Sequence, residues 1–361
     1  MGGCSSKNSP SQPGEVPAEM KAWRAFAYGK DGNPADTISN MKLETVPTPK
    51  PVAGQVLVKV QFAAINPIDW KLMSGAMDGM CPLTFPYTPC FDIAGTVVQL
   101  GEGCKTLAVG DEIIADIGLL ESCKKDMPNG PAGALAEFAC VAEELVSKRQ
   151  GLPAKDLVGL PLAGLTSYQA LFTGNGKSAK GEPLGNVTKD SKVLILGGAS
   201  ATGALAIQIA KAAGAYVATT ASPNTMPDGV SKIDFVKKMG ADEVINYKEA
   251  EWSDVLAGKD FDLIYDCVGE ADSVQKAGKI VKKGSPFLSI ANHGGQSTDD
   301  VVFKNFLIKS NATDLDKLVS MVVEKKLTVP IDSVLPFDKA AEGLQKSMGW
   351  TSAGKLIVQV A

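Results

Sequence analysis

The residues of this chain that most clearly indicate chemistry form a glycine-rich segment near its middle. Val193 to Leu196 is a short apolar run, Gly197 and Gly198 follow it, and a second apolar stretch continues to Lys211. This order predicts a buried parallel strand, a tight turn and a helix. The first N–H groups of such a helix, at the positive end of its dipole, can bind a pyrophosphate. The segment therefore predicts a dinucleotide-binding βα unit.

The glycine spacing departs from the usual dinucleotide fingerprint at one position. In Gly198-Ala-Ser-Ala-Thr-Gly203, Ser200 stands where the second glycine commonly lies. Gly203 removes a side chain at the point where the helix must approach the strand. A second strand is readable at Ala215–Thr219, and this context favours cofactor binding over a turn that serves packing alone.

Composition limits the remaining possibilities. The 361 residues suffice for two domains, and 45% apolar with 21% charged residues is ordinary for a globular protein. A net charge of −4 gives no basic surface for nucleic acid. The single histidine, His293, lies in a glycine-rich loop, where a solvated position is a simpler interpretation than catalysis. Seven cysteines without a C-x-x-C pair or a secretory signal indicate reduced thiols in a cytoplasmic protein and no zinc site.

The first residues carry a separate signal. Met1-Gly-Gly-Cys-Ser-Ser6 fits the N-myristoylation pattern, with Gly2 as the acceptor and Cys4 placed for palmitoylation. Because one myristoyl chain binds membranes only marginally, the second acyl group would matter. The alternative is a disordered tail, since residues 5–19 are rich in serine, proline and polar side chains. The apolar stretch at 193–220 is better explained by a buried βαβ unit than by a membrane span.

The elements around the glycine-rich segment change character along the chain. After a flexible leader at residues 1–20, the part up to about Leu152 reads as closely spaced strands with glycine and proline turns, typical of a β-barrel-like domain. From Leu160 helices and strands alternate, which predicts a doubly wound parallel sheet of the α/β class. The expected elements are helices at Pro161–Phe172, Ile233–Met239 and Lys339–Met348, and strands at Val56–Phe62, Phe91–Val98, Glu243–Ile245, Phe261–Asp266, Pro286–Ile290 and Gly354–Val360.

These pieces together resemble the medium-chain dehydrogenase/reductase superfamily, and most closely its zinc-free quinone oxidoreductases, including chloroplast-envelope homologues and alkenal/enone reductases. The stretches that carry the resemblance are Ala63–Lys71, Phe85–Gly95, Gly133–Phe138, Leu160–Tyr168 and Gly240–Tyr247. The resemblance implies a GroES-like catalytic domain at 21–152 and 313–361, and a Rossmann NADP-binding domain at 153–312. Zinc-dependent relatives have a Cys where Asn66 falls and a Gly-His-Glu motif where Pro89-Cys-Phe-Asp92 stands, and their four-Cys structural zinc lobe is missing here.

The residues offer no metal site, no catalytic triad with a nucleophile and no paired carboxylates, so a bound nicotinamide is expected to carry the reaction. Relatives reduce activated C=C bonds and quinones with NADPH, and negative charge develops on the carbonyl oxygen. Lys71, in the N-P-x-D-x-K pattern shared with enone reductases, is the candidate donor to that oxygen. A surface lysine on a short helix is the alternative. Asn66 either orients the substrate or nicotinamide ribose, or shapes the loop.

The second strand of the dinucleotide unit indicates the form of the cofactor. Thr219-Thr-Ala-Ser222 contains no acid to bind ribose hydroxyls, as NAD enzymes commonly do, and this favours NADPH. By resemblance, Ser222, Lys232 and Tyr247 surround the 2′-phosphate, although an apparent insertion at 223–230 brings Asp228 nearby. The remaining expected cofactor contacts are Thr166, Gly198, Ser200, Ala201, Thr202, Gly203, Cys267, Val268 and Asn292.

Three functions stay open at this point. The first is an NADPH-dependent reductase of α,β-unsaturated carbonyls or quinones, with possible membrane association through the acylated N-terminus. The second is an enoyl-thioester reductase, whose relatives rely on a Tyr donor where this chain has Trp70 and Lys71. The third is a membrane-tethered NADPH-binding protein with little turnover. A homodimer is a further expectation, with Val301–Ile308 as a strand that could join two sheets.

Overall fold

The computed structural model describes residues 16–118, 133–172, 184–226, 228–291 and 294–361. The strands in chain order are β1 (Glu19–Arg24), β2 (Lys42–Pro47), β3 (Gln55–Ile65), β4 (Asp92–Leu100), β5 (Glu112–Asp116), β6 (Phe138–Ala142), β7 (Val146–Lys148), β8 (Lys192–Leu196), β9 (Tyr216–Ala221), β10 (Glu243–Asn246), β11 (Leu263–Asp266), β12 (Ser285–Ser289), β13 (Val301–Asn305), β14 (Ile331–Pro336) and β15 (Lys355–Gln359). The α-helices are α1 (Pro34–Ser39), α2 (Pro67–Met73), α3 (Ala154–Leu157), α4 (Pro161–Leu171), α5 (Ala201–Ala212), α6 (Lys232–Lys238), α7 (Trp252–Val255), α8 (Ser273–Ala277), α9 (Ala312–Val323) and α10 (Ala340–Met348).

The middle of the chain folds into a parallel sheet of six described strands. Their order is β10-β9-β8-β11-β12-β13, so the chain runs outward from β8 in one direction and then outward from β11 in the other. The short apolar run of β8 is fully buried after its first residue, as expected for a central parallel strand covered on both faces. This confirms the predicted doubly wound sheet. The order reverses between β8 and β11, and ligands of such sheets bind at the carboxyl ends of those strands.

A mixed, mainly antiparallel sheet forms the other half of the molecule. Its described order is β14-β15-β3-β4-β5-β7, and β6 also pairs with β3. The last strand, β15, pairs antiparallel with β3, so the chain returns to this sheet. The GroES-like β-rich fold is confirmed, whereas the domain boundaries given above stay predictions. The strand β1 begins at Glu19, inside the range predicted as a leader.

Several expected elements differ from the observed ones by one to three residues at an end, and two differences have a visible local cause. The strand expected at Phe261–Asp266 begins at Leu263, because the backbone of Phe261 bonds Ile280 and Lys282 in an isolated bridge and leaves the ladder. The strand within the expected Val301–Ile308 segment ends at Asn305 and lies at the sheet edge. Its backbone N–H groups at Val301 and Phe303 already bond the hydroxyls of Thr298 and Ser297. A second copy would have to displace these hydroxyls, and the homodimer stays a prediction.

Cysteine chemistry departs from the expectation of reduced thiols at one position. Cys81 is disulfide-bonded, and its partner is not among the described free cysteines, which are Cys90, Cys104, Cys140 and Cys267. Within the described ranges, no helix is long and apolar enough to cross a membrane.

Candidate functional site

A cleft of about 850 Å³ lies between the two sheets. One wall is formed by residues that follow the carboxyl ends of β8, β9, β10 and β11, and the other by α2, the start of β15 and the loop before it. The cleft therefore lies at the topological switch point, where an open α/β sheet is expected to bind its ligand.

The structure brings most of the predicted site residues together in this cleft. They follow a strand end, face the opening from α2 or α4, or, in the case of Lys232, begin α6, although these positions lie far apart in sequence. The predicted residues that line the cleft are Asn66, Lys71, Thr166, Ser200, Ala201, Thr202, Ser222, Lys232, Tyr247, Cys267 and Val268. Asn292, His293, Gly2 and Cys4 lie outside the described residues.

Gly198 and Gly203 do not line the cleft, and close packing explains both glycines. A Cβ on Gly198 would lie 2.1 Å from Thr219 Oγ1, and one on Gly203 would lie 2.3 Å from the Gly197 carbonyl oxygen. Gly197 itself has a φ of 82°, which favours glycine. These glycines let α5 begin directly above the end of β8, so they act on the cofactor site through the backbone.

The serine that departs from the glycine fingerprint caps the helix. Ser200 has extended backbone geometry, its Oγ accepts a hydrogen bond from Gly203 N at 3.0 Å, and it donates one to the Gly197 carbonyl at 2.8 Å. A serine N-cap satisfies one of the free N–H groups of a helix start. The turn is therefore closed by a side chain, and the N–H groups of Ala201 and Thr202 begin α5 at the cleft wall.

The predicted phosphate end of the cleft carries a cation and hydroxyl groups. Ser222 follows β9, Tyr247 follows β10, and Lys232 begins α6 with its Nζ 3.4 Å from the Thr351 carbonyl oxygen. Asp228 is exposed, accepts a hydrogen bond from Val230 N within its own turn, and is absent from the cleft lining. The carboxylate in the insertion is therefore engaged away from the site.

Lys71 projects from the short helix α2 into the cleft, where two indole rings flank it. Its Nζ lies 5.8 Å from the ring centroid of Trp70 and 5.7 Å from that of Trp350. Such distances permit cation–π attraction. Burial lowers the pKa of Lys71 below that of a free lysine. An ammonium in this partly dry place can stabilise an oxyanion more strongly than it could in water.

The floor of the cleft holds a buried ion pair. Lys355, which is 1% exposed, donates to Asp92 Oδ2 at 3.1 Å and to Asn66 Oδ1 at 2.6 Å. The other oxygen of Asp92 accepts from Leu162 N at 2.8 Å, at the start of α4. A single carboxylate thus ties strand β4, strand β15 and a helix of the other half together. A buried pair with this many hydrogen bonds is costly to break.

The amide of Asn66 is occupied by this network. Its Nδ2 donates to Asp92 Oδ2 at 2.9 Å and to the Ala64 carbonyl at 3.3 Å, while its Oδ1 accepts from Lys355. Because both amide protons have protein partners, Asn66 has no free donor for a substrate. Two roles were considered for Asn66, and this geometry favours the structural one, in which its side chain shapes the loop at the floor of the cleft.

Asp69 lies behind Asn66 and completes the turn into α2. Its Oδ2 accepts a hydrogen bond from Asn66 N at 2.7 Å, which caps the start of α2. Burial is the largest cause that raises the pKa of Asp69, and Asp92 also raises it, while the Asn66 N–H and Lys355 lower it; the net pKa is about 8. Burial therefore favours the neutral form of this carboxyl compared with a free aspartate.

The floor is also unsuited to a divalent metal. The Lys355 ammonium lies against both Asn66 and Asp92. A cation at that point repels a second cation. Within the described ranges, no three His, Cys, Asp or Glu side chains come together as a metal site. The zinc-free site stays a prediction that this charge arrangement favours.

Lys355 and Trp350 are among the side chains of the cleft that sequence reasoning missed. Lys355 had a signal, since a charged residue within the apolar run Lys355–Val360 must be paired if it is buried. Trp350 had none, because it lies in a loop whose position depends on contacts with distant elements.

Cys267 was expected at the nicotinamide side, and it lines the cleft. Burial is the largest cause that raises the pKa of its thiol well above that of a free cysteine.

Comparison with known proteins agrees with this architecture. Residues 52–153 match the family described as alcohol dehydrogenase GroES-like domain, and residues 239–358 match the family described as zinc-binding dehydrogenase. The quinone oxidoreductase of Coxiella burnetii superposes with a TM-score of 0.75 at 26% identity, covering 95% of this chain and 100% of that one.

Several relatives match nearly the whole length of this chain. A chloroplast envelope quinone oxidoreductase homolog of Arabidopsis thaliana is 30% identical over 94% of this chain and 99% of its own length. A 2-methylene-furan-3-one reductase of Solanum lycopersicum is 32% identical over 95% of this chain and 80% of its own length. An NADPH-dependent alkenal/one oxidoreductase of Arabidopsis thaliana is 31% identical over the same shares. The chain therefore belongs to the quinone oxidoreductase family of the medium-chain dehydrogenase/reductases and is a nicotinamide-dinucleotide-dependent oxidoreductase.

Proposed function

We propose that this protein is an NADPH-dependent reductase of α,β-unsaturated carbonyl compounds or quinones, with Lys71 as the donor to the developing oxyanion. The observation that carries the proposal is the position of the Lys71 ammonium, which lines the same cleft as the glycine-rich turn and the strand ends of the parallel sheet. A lysine with a pKa lowered by burial, beside a cofactor site, is suited to stabilising negative charge on an oxygen.

The residues of the cleft fit a phosphorylated dinucleotide. The turn at Gly197–Gly203 leaves no room for a Cβ at its three glycines, and it begins a helix whose N–H groups can hold the pyrophosphate. Ser222, Lys232 and Tyr247 would hold the 2′-phosphate, and Thr166, Cys267 and Val268 lie where the nicotinamide side is expected. When bound, the nicotinamide supplies the hydride that adds to the β-carbon of the enone or to the quinone.

The chain's own groups would then act on the substrate oxygen. As the hydride reaches the acceptor, an electron pair moves onto the carbonyl oxygen, and Lys71 donates a hydrogen bond to it. The apolar side chains of Ile68, Leu162 and Phe306 line the cleft and would exclude water around the transferred hydride. A proton taken up from solvent, at the α-carbon of the enone or at the oxygen of the quinone, completes the reduction.

The names of relatives support this substrate class. Those quoted above act, by name, on quinones, an exocyclic methylene furanone and alkenals or alkenones. A trans-enoyl reductase of Aspergillus terreus is also 30% identical over 96% of this chain, so the enoyl-thioester alternative stays relevant. Tyr87 and Tyr168 are both absent from the cleft lining. The side chains therefore favour an enone or quinone over a thioester that needs a tyrosine donor.

The test of this function is NADPH oxidation against an acceptor panel. The panel holds an alkenal, a long-chain enone, a benzoquinone and a crotonyl thioester, each with NADPH and with NADH. Turnover of the enones or the quinone is expected. Turnover of the thioester alone would favour the alternative reductase, and tight NADPH binding without any turnover would favour a binding protein.

Replacing Lys232 with alanine is expected to weaken NADPH binding about tenfold and to leave NADH binding unchanged. The loss follows from removing one charge-assisted contact to the 2′-phosphate, a group that NADH lacks. Dissociation constants from titration of both cofactors check this. Lys238→Ala, an exposed lysine on the same helix, is the matched control. Equal weakening of both cofactors by Lys232→Ala would contradict the assignment.

We also propose that Gly2 is myristoylated and that Cys4 is the second acylation position. The support is the pattern Met1-Gly-Gly-Cys-Ser-Ser6, since a glycine at position 2 and a serine at position 6 suit the acyltransferase. Labelling with an alkyne-bearing myristate in cells is expected to mark the native protein and to miss Gly2→Ala. Gly3→Ala is the control. Labelling that survives Gly2→Ala would contradict the proposal.

A further inference from the structure

Trp350 is a large apolar side chain left open inside the cleft. Its side chain is 60% exposed, more than any other large apolar residue in the described part of the chain, and it lines the cleft. Its φ is 53°, a left-handed conformation that is unusual for a residue without a short polar side chain. An exposed aromatic side chain on a strained backbone contributes little to the stability of the fold, and its ring is available for contact with a ligand.

The loop that carries Trp350 is fixed at both ends. Before it, Lys346 in α10 forms an ion pair with Asp332, and after it, Ala353 N donates to the other oxygen of Asp332 at 2.9 Å. Lys355 N then donates to the Pro330 carbonyl at 2.8 Å. The ring is therefore presented to the cleft by an anchored loop.

Trp350 also contacts the group that the mechanism uses. Its ring packs edge-on against Trp70 at 5.7 Å with an interplanar angle of 85°, and the Lys71 ammonium lies near both rings. The Trp70 Nε1 donates to Ser347 Oγ at 3.3 Å, which orients the second ring. Two indoles at a right angle therefore define where the ammonium can lie.

We propose that Trp350 is a specificity-determining and positioning residue, which packs against ring-shaped, planar acceptors and holds Lys71 toward their carbonyl oxygen. This inference rests on the proposed reductase function and narrows its substrate class to cyclic conjugated acceptors such as quinones. An electron-rich indole face attracts an electron-poor ring, and aromatic pairs gain more than the area they bury. A short acyclic alkenal covers little of that face and gains little from it.

The test compares Trp350→Ala, Trp350→Leu and Trp350→Phe on benzoquinone and on a short alkenal. With Ala or Leu, KM for the quinone is expected to rise about three- to tenfold, while KM for the alkenal changes by less than about twofold. Leucine keeps apolar volume without a ring, so it separates stacking from simple burial. Phenylalanine is expected to restore most of the quinone KM.

A second readout tests the positioning role. Trp350→Ala removes one of the two rings beside the Lys71 ammonium, so the pH of the alkaline fall of kcat is expected to shift, and Trp350→Phe is expected to leave it near its native position. Phe26→Ala is the matched control, because Phe26 is another exposed aromatic side chain with a lysine over its ring, at 5.6 Å, outside the cleft lining. NADPH affinity and thermal midpoint are expected to stay unchanged in all variants.

The outcomes separate the two levels of the proposal. If Trp350→Ala and Trp350→Leu change KM equally for quinone and alkenal, the substrate inference is wrong while the reductase function stands. If the pH profile does not move, Trp350 does not position Lys71. If the native protein reduces no member of the panel, the reductase function itself fails, and the inference fails with it.

Discussion

Replacing Lys71 with methionine is expected to lower kcat for enone or quinone reduction by about 100- to 1000-fold, the range found when one oxyanion donor is removed. Methionine keeps most of the length and the unbranched apolar stem of the side chain and removes the ammonium, with both its charge and its N–H donors. The ammonium interacts most strongly with the charge that develops on the substrate oxygen, so KM is expected to change little. NADPH affinity is expected to stay near the native value, because the proposed contact of Lys71 is with the substrate oxygen and not with the cofactor phosphates. Steady-state kinetics with a cofactor titration measures all three.

The pH profile gives this prediction a second test. Lys71 must be charged to donate, and burial lowers its pKa below 10.5, so kcat is expected to fall on the alkaline side at a pH below that value. The alkaline fall should be absent from the residual rate of Lys71→Met. Lys42→Met, which removes the lysine over Phe26, is the control and is expected to leave kcat unchanged. A Lys71→Met enzyme with native kcat would refute the assigned role.

Replacing Lys355 with methionine is expected to lower the free energy of unfolding by about 3 to 5 kcal/mol, the cost of leaving a buried charge without its partner. Asp92 would lose its cation at a position with no access to water, and Asn66 Oδ1 would lose its donor. Chemical denaturation, read as a shift of the midpoint at constant slope, measures this loss.

The paired variant distinguishes charge from packing. Asp92→Asn together with Lys355→Met leaves no buried charge, so it is expected to recover a large part of the stability lost by Lys355→Met alone. Lys279→Met is the matched control, because the Lys279–Asp254 pair is exposed on both sides and is expected to contribute less than about 1 kcal/mol. If the double variant is as unstable as the single one, the loss comes from packing and the ion pair is not its cause.

The cofactor half of the site was predictable because its signals are local. The apolar run of β8, the glycines after it and the helix that follows are contiguous, and a parallel sheet places the residues after each strand at one edge. This is why Ser222, Tyr247 and Cys267 could be assigned together. Even Ser200, which breaks the glycine pattern, has a local explanation as an N-cap.

The other half was less accessible because its contacts are distant in sequence. Lys355 meets Asn66 and Asp92 across 289 and 263 residues, and only the pairing of β15 with β3 brings it there. For this reason Asn66 could be placed at the site, while the partners that occupy its amide could not be foreseen. Trp350 is a similar case, since its position depends on a loop fixed by Asp332.

The ion pair at the cleft floor also bears on how the chain is made. Asp92 is synthesised 263 residues before Lys355, which at ordinary translation rates is roughly 10 to 50 seconds. Throughout that interval the early lobe lacks both the cation for its buried carboxylate and the β15 strand that covers β3. Until β15 is made, this part of β3 is an unpaired sheet edge beside an uncompensated carboxylate, and such edges are prone to pairing with other chains.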